Sequence, residues 1–204
     1  DNMTLAHGSP RFLPWHRAYV ASLERRLQRI NPAIAIPYWD WTFDWEAPLT
    51  SPIFSPRYGL DVALGKNGDC RYRRNIFIPH CLTRDYKIDA FPKLQPPAVL
   101  SREINTLSDY DRFRILIETG NHAVVHNSLG GDMSLMTSPN DPLFFMHHSM
   151  VDYLWWLWQA KSPDRQSAYA GNLDEVLAPF NVTVRQVLHA NDLCYTYLPF
   201  SQNS

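Results

Sequence analysis

Between Pro14 and Ile30 the chain places His16, Tyr19, Val20, Leu23, Leu27 and Ile30 at helical spacing, with polar and charged residues between them. Large side chains recurring every three or four residues mark one face of a helix. Pro14 suits a first turn, where a missing N–H breaks no bond, and Asn31-Pro32 stops the run. A second periodic run carries Phe113, Leu116, Ile117, His122, Val125, His126 and Leu129. Ser108 is placed to cap it. Asp109 and Asp111 fall in its first turn, where the helix dipole favours anions, and Gly130-Gly131 ends it. Gly120 inside this run costs roughly 1 kcal/mol relative to alanine and predicts a close backbone contact. A third helix is expected from an Asn140 cap, with Pro142 early in it, to about Gln159.

The segment IAIPYWDWTF reads as a short aromatic stretch packed beside the first helix. Residues 46–107 hold many prolines and turn residues and are expected to be long connecting loops with little regular structure. There is no internal repeat. The predicted fold is mainly α: a helical bundle with long irregular loops and few short strands.

Composition narrows the function. With 45% hydrophobic and 13% aromatic residues, 204 residues can bury one core. Nineteen basic against 20 acidic side chains leave a net charge of -1, which argues against nucleic acid as a partner. Arg25-Arg26 and Arg73-Arg74 read as solvated faces. No run approaches the ~18 apolar residues of a membrane span. Cys70 and Cys81 bracket a short basic segment, either as a disulfide or as two reduced thiols, with Cys194 left over. Sequons at Asn2 and Asn181 permit a secretory route and leave the compartment open.

The histidines change the picture. Six of the eight fall into two clusters, His7 with His16, and His122 and His126 with the pair His147-His148. Two histidines four apart on a helix lie about 6 Å apart at Cβ on one face, close enough to share a metal ion. Imidazole ligands suit copper, zinc or iron and disfavour calcium and magnesium. A lone histidine on an apolar face is usually an ordinary core residue. Several converging would lack hydrogen-bond partners without a metal.

The segments HGSPRFLPWHR, PYWDWT, HAVVHNSLGGDM and SPNDPLFFMHHSMVDYLWWLWQ resemble the core of the type 3 copper proteins: tyrosinases, catechol oxidases and mollusc haemocyanins. The resemblance runs from His7 to the Tyr195-Thr196-Tyr197 motif, so residues 1–204 are expected to be a single copper-binding catalytic domain. It implies two copper ions, each held by three histidines, that bind dioxygen between them. His122, His126 and His148 match the ligands of the second copper, and His7 and His16 two ligands of the first. His147 matches a non-ligand position. His80 and His189 match none. Asp152 is expected to accept a bond from a ligand imidazole or from Arg17, or to form an ordinary helix ion pair. The family's first histidine would precede Asp1. A trimmed chain is the favoured reading; a ligand supplied by a separate piece, or an incomplete first site, are the others. Leu5 stands where many relatives carry a cysteine cross-linked to a ligand histidine.

The implied reaction is oxidation of small phenols: two catechols and one dioxygen give two o-quinones and two waters. In the family an asparagine after the second copper's first ligand, with a nearby glutamate, is proposed to hold a water as base for monophenol hydroxylation. Ala123 occupies that position here, Glu118 lies one turn before His122, and Asn127 follows the second ligand instead. The substitution favours diphenol oxidation with weak or absent hydroxylation. Leu135 falls at the gate position over the first copper, and no covering domain is expected after Tyr197. The alternatives are a haemocyanin-like oxygen carrier, a mononuclear metal protein using only His122, His126 and His148, and a relative with a degraded first site.

Overall fold

A computed structural model describes residues 3–55, 57, 69–74, 80–87 and 90–198. A short helix, α1 (Met3–Ala6), leads through the His7 loop into α2 (Phe12–Gln28). After an irregular stretch, β1 (Asp69–Arg74) and β2 (His80–Leu82) pair antiparallel with an irregular register. Then come α3 (Pro97–Thr106), α4 (Tyr110–Ile117), a π-helical turn (Glu118–His122) and α5 (Ala123–Leu129). The long α6 (Leu143–Gln159) is followed by α7 (Pro163–Ser167). A small ladder pairs β3 (Val176–Leu177) with β4 (Val182–Thr183), in register Val176 opposite Thr183, and α8 (Val184–Val187) follows. The mainly helical expectation holds.

Helix α6 is the axis of the core. Its Trp155 and Trp158 are fully buried, and Phe113 of α4 stacks on Trp158 at 4.9 Å. Trp39 and Trp41 from the IAIPYWDWTF segment join Val125, Leu129 and Leu143 in the same cluster. Trp15 and Ala18 of α2 turn the other way, toward Leu177, Val184 and Val187.

Several expectations need correction. Helix α3 lies inside the stretch expected to be loop. Pro96 is its N-cap and Pro97 its first residue, where proline is tolerated, so the prolines begin a helix and Leu100 and Ile104 are buried on it. The cap of α4 is Asp109, whose carboxylate accepts the Arg112 N–H at 2.8 Å, and Ser108 lies one residue outside. The run from α4 to α5 is broken at Gly120, whose φ of -84° and ψ of -127° are not helical. A Cβ at Gly120 would meet nothing within 4 Å, so no close contact explains that glycine; the bend does. The N-cap of α6 is Pro142, which has no capping side chain; Asp141 just before it accepts the Leu143 N–H at 2.9 Å, while Asn140 donates to Asp132. Gly130 and Gly131 do end α5. Both have positive φ, and a Cβ on Gly131 would sit 2.3 Å from the Thr83 carbonyl oxygen.

A buried brace ties α2 to α6. The Arg17 guanidinium donates to Asp152 at 2.5 Å and to the Leu188 carbonyl at 2.6 Å, and lies 3.8 Å over the Trp155 ring. The second Asp152 oxygen accepts the hydroxyls of Tyr195 (2.5 Å) and Tyr197 (2.7 Å). Of the roles expected for Asp152, the structure selects pairing with Arg17. A second fully buried pair, Arg84 with Asp141 at 2.6 Å, fixes the turn into α6. Cys81 is disulfide-bonded and Cys194 is exposed and free; the side chains of Cys70 and His80 lie outside the described ones, as does Asn2. Among the described residues no helix is long and apolar enough to cross a membrane.

Removing one partner of a buried ion pair strands the other charge, at a cost of about 3–5 kcal/mol. Asp152→Ala is expected to lower the unfolding free energy in urea by that amount. A loss below about 1 kcal/mol, the scale of an exposed pair, contradicts the brace.

Candidate metal centre

Three stretches of chain deliver imidazoles to one place. His7 comes from the loop before α2 and His16 from the first turns of α2. His122 closes the π-helical turn, His126 sits one turn further along α5, and His147 and His148 lie on α6. His122, His126 and His148 each offer a ligand atom within 4.8 Å of the others, and the Nε2 atoms of His126 and His148 are 3.2 Å apart. The His7 and His16 ring centroids are 5.0 Å apart, and His16 stacks on His148 at 4.1 Å. His7 lies 6.1 Å from His122. The two clusters therefore form one buried group.

The rings are oriented by backbone carbonyls. His16 Nδ1 pairs with the Phe12 carbonyl at 2.8 Å, His122 Nδ1 with that of Glu118 at 2.9 Å, and His126 Nδ1 with that of Met133 at 2.6 Å. Each bond places the proton on Nδ1 and leaves Nε2 as a bare lone pair, the arrangement by which proteins prepare histidine for a metal. His122 Nε2 is buried with no hydrogen-bond partner, and so are His7 Nδ1 and His148 Nδ1. Buried polar atoms without partners are costly, and a cation that accepts the His122 Nε2 lone pair removes its share of that cost. The residues fit a nitrogen-ligated transition metal.

Electrostatics agree. Burial lowers the pKa of His7 and pushes those of His16, His122 and His148 well below the usual imidazole value; neighbouring imidazoles lower the last three further. His126 is lowered to about 4, chiefly by burial. These depressed values favour neutral imidazoles, the form in which histidine binds a metal.

Sequence reasoning missed Phe12. Its fully buried ring lies 4.9 Å from His16, 4.8 Å from His122 and 5.9 Å from His7, so it separates and orients rings of both clusters. Its place in the first turn of α2, two residues before Pro14 and four before His16, was the available signal. Phe144 (4.2 Å from His148) and Trp15 (5.0 Å from His16) pack on the imidazoles, whereas Phe145 packs on Tyr19. His147 is fully buried beside His122 and His126. His189 is half-buried in a shallow groove with Trp156 and Asn191. Ala123 is half-buried beside His122, and Asn127 is exposed. Leu135 is exposed, two residues beyond the Met133 carbonyl that holds His126. Glu118 is buried, one carboxylate oxygen accepting the Gly8 N–H at 2.7 Å and the other Arg114 at 2.9 Å.

Residues 1–61 and 51–161 match the family model for the common central domain of tyrosinase. The chain belongs to the tyrosinase family. It carries that family's type 3 copper catalytic core. The tyrosinase-like protein phomQ1 of Diaporthe leptostromiformis is 32% identical over 213 residues, covering 85% of this chain and 52% of its own length. Grixazone synthase of Streptomyces griseus is 30% identical, covering 78% and 68%, and a tyrosinase of Streptomyces antibioticus is 28% identical, covering 94% and 80%. The chain thus spans about half the length of the Diaporthe relatives. A polyphenol oxidase variant from Thermothelomyces thermophila superposes with a TM-score of 0.72 at 21% identity, over 97% of this chain and 75% of that one, which establishes a shared fold.

The buried imidazoles of this tyrosinase-family core give a pH signature. Unfolded histidines take up protons below about pH 6.5, whereas folded His126 resists until about 4. Because the folded pKa is depressed, stability is full above pH 6.5 and falls as pH drops toward 4. Urea midpoints of copper-stripped protein are expected to decline steadily between about pH 7 and pH 4.5; a flat midpoint across that range contradicts burial of neutral rings.

Proposed function

We propose that this chain is the catalytic core of a polyphenol oxidase that converts o-diphenols to o-quinones and reduces dioxygen to water. Two catechols give up four electrons and four protons, and one dioxygen takes them to form two waters. The observation that carries this reading is the convergence of His7, His16, His122, His126 and His148 in one aromatic-walled group, with ligand atoms of His122, His126 and His148 within 4.8 Å of one another.

In this reading His122, His126 and His148 hold one copper ion, and His7 and His16 contribute two ligands to a second. Copper supplies the redox chemistry, passing electrons from phenol to dioxygen by cycling between its +1 and +2 states. The protein does the rest. The carbonyls of Phe12, Glu118 and Met133 set ring orientation, and Phe12, Trp15 and Phe144 exclude water. Exposed Leu135 and Met136 offer an apolar rim for a phenol ring. Ala123 places a methyl group where a water-holding amide would be needed, which favours diphenol oxidation over monophenol hydroxylation. Asn127, exposed beside His126, is the nearest polar replacement in sequence. The disulfide at Cys81 and the exposed Asn181 sequon support a secretory setting.

A second reading, one metal ion per chain, draws on the tighter convergence of His122, His126 and His148. His126→Ala is expected to remove the metal from that cluster and reduce catechol oxidation to background; full oxidase activity in the variant would refute the assignment. Ala123→Asn is expected to raise the ratio of monophenol hydroxylation to diphenol oxidation. An unchanged ratio would show that the residue after His122 does not govern hydroxylation here.

A further inference from the structure

Glu118 ties both halves of the centre by hydrogen bonds. Its backbone carbonyl orients the His122 ring at 2.9 Å. Its carboxylate, about 9% exposed, reaches 110 positions back along the chain to accept the N–H of Gly8, the residue after His7, at 2.7 Å. The other carboxylate oxygen is held by Arg114 at 2.9 Å, and Arg114 is in turn held by Asp111 at 2.6 Å. Gly8 has a φ of +64°, a conformation that glycine adopts at no steric cost and that turns the His7 loop toward α2. The same loop receives one more long-range tie, from the Tyr110 hydroxyl to the Pro10 carbonyl at 2.6 Å.

Both carboxylate oxygens are thus engaged in holding the chain, one by an ion pair and one by a backbone donor. An ionised carboxylate accepts such bonds about twice as strongly as a neutral acceptor. One residue thus serves both ends, its carbonyl under the His122 ring and its carboxylate on the loop after His7.

We propose that Glu118 is a positioning residue that couples the two metal positions, by fixing the His7 loop against the turn that carries His122. Loss of the carboxylate frees the His7 loop while leaving His122, His126 and His148 in place. The consequence is selective: the ion held with His7 and His16 weakens and the other does not. The proposal rests on the dicopper reading above.

The test uses the natural full-length protein, loaded with copper(I) against a competing chelator, and compares wild type with Glu118→Ala, Glu118→Asp and Glu118→Gln. Removing an outer partner of a metal ligand typically weakens metal binding 10–100-fold. Wild type is expected to bind two ions. Glu118→Ala is expected to bind one at wild-type affinity and the other 10–100-fold more weakly, with the electron paramagnetic resonance signal of an isolated copper(II) after oxidation at limiting copper. Glu118→Asp keeps the charge for Arg114 but falls one methylene short of Gly8, so it should behave as alanine does if alanine fails to fold. Glu118→Gln retains an acceptor for the Gly8 N–H and is expected to bind both ions within about threefold of wild type. Two ions at wild-type affinity in the alanine and aspartate variants would overturn the proposal and leave the dicopper reading standing, as would equal weakening of both ions. A single ion in wild type would overturn both.

Discussion

Burying several neutral imidazoles together in an aromatic core is costly, and the architecture around them follows from that cost. Each ring has two nitrogens, and in a water-free interior each nitrogen needs a partner. Backbone carbonyls satisfy one nitrogen on His16, His122 and His126. Nitrogens of His7, His122, His147 and His148 remain without hydrogen-bond partners, each at about 1–3 kcal/mol. A fold that keeps such groups facing one another must be held shut by other interactions, and it gains stability when a metal takes up the lone pairs.

Those other interactions are charges placed just outside the imidazoles. The Arg17 guanidinium, one residue from His16, is locked to Asp152, four residues beyond His148, with Tyr195 and Tyr197 closing the remaining carboxylate oxygen. The pair therefore sets the separation of α2 and α6, and with it the stacking of His16 on His148. Arg84 with Asp141 fixes the start of α6 in the same way. Glu118 with Arg114 ties the His7 loop to the turn bearing His122. Arg17 with Asp152 joins two helices that carry histidine, and the carboxylate that Arg114 holds reaches the His7 loop through the Gly8 N–H, so the scaffold orients the centre before any metal binds.

Much of this was legible in the sequence. The histidine spacing placed His122 and His126 on one helix face, the apolar period located α2 and the run that the structure divides into α4 and α5, and cap and proline signals located α6. Asp152 was singled out, though its partner was one of several. Helix α3 was hidden because prolines were read as loop signals, when two of them sit at its first positions. The cap of α4 moved by one residue where two good capping side chains are adjacent, Ser108 with Asp109, and the bond expected of Asn140 is made by its neighbour Asp141. Gly120 was read as a packing glycine because a sequence shows that a helix is interrupted, not whether it bends or is crowded. The clamp from Glu118 to Gly8 spans 110 residues and uses a backbone donor, so no local pattern encodes it. Phe12 likewise gains its meaning only when rings from distant segments close around it.

The most direct test is a crystal structure of the copper-loaded protein with data collected on both sides of the copper absorption edge. An anomalous peak is expected within the ring nitrogens of His122, His126 and His148, and a second beside His7 and His16. Imidazoles turned away from one another around no peak, or copper held by other side chains, would contradict that expectation.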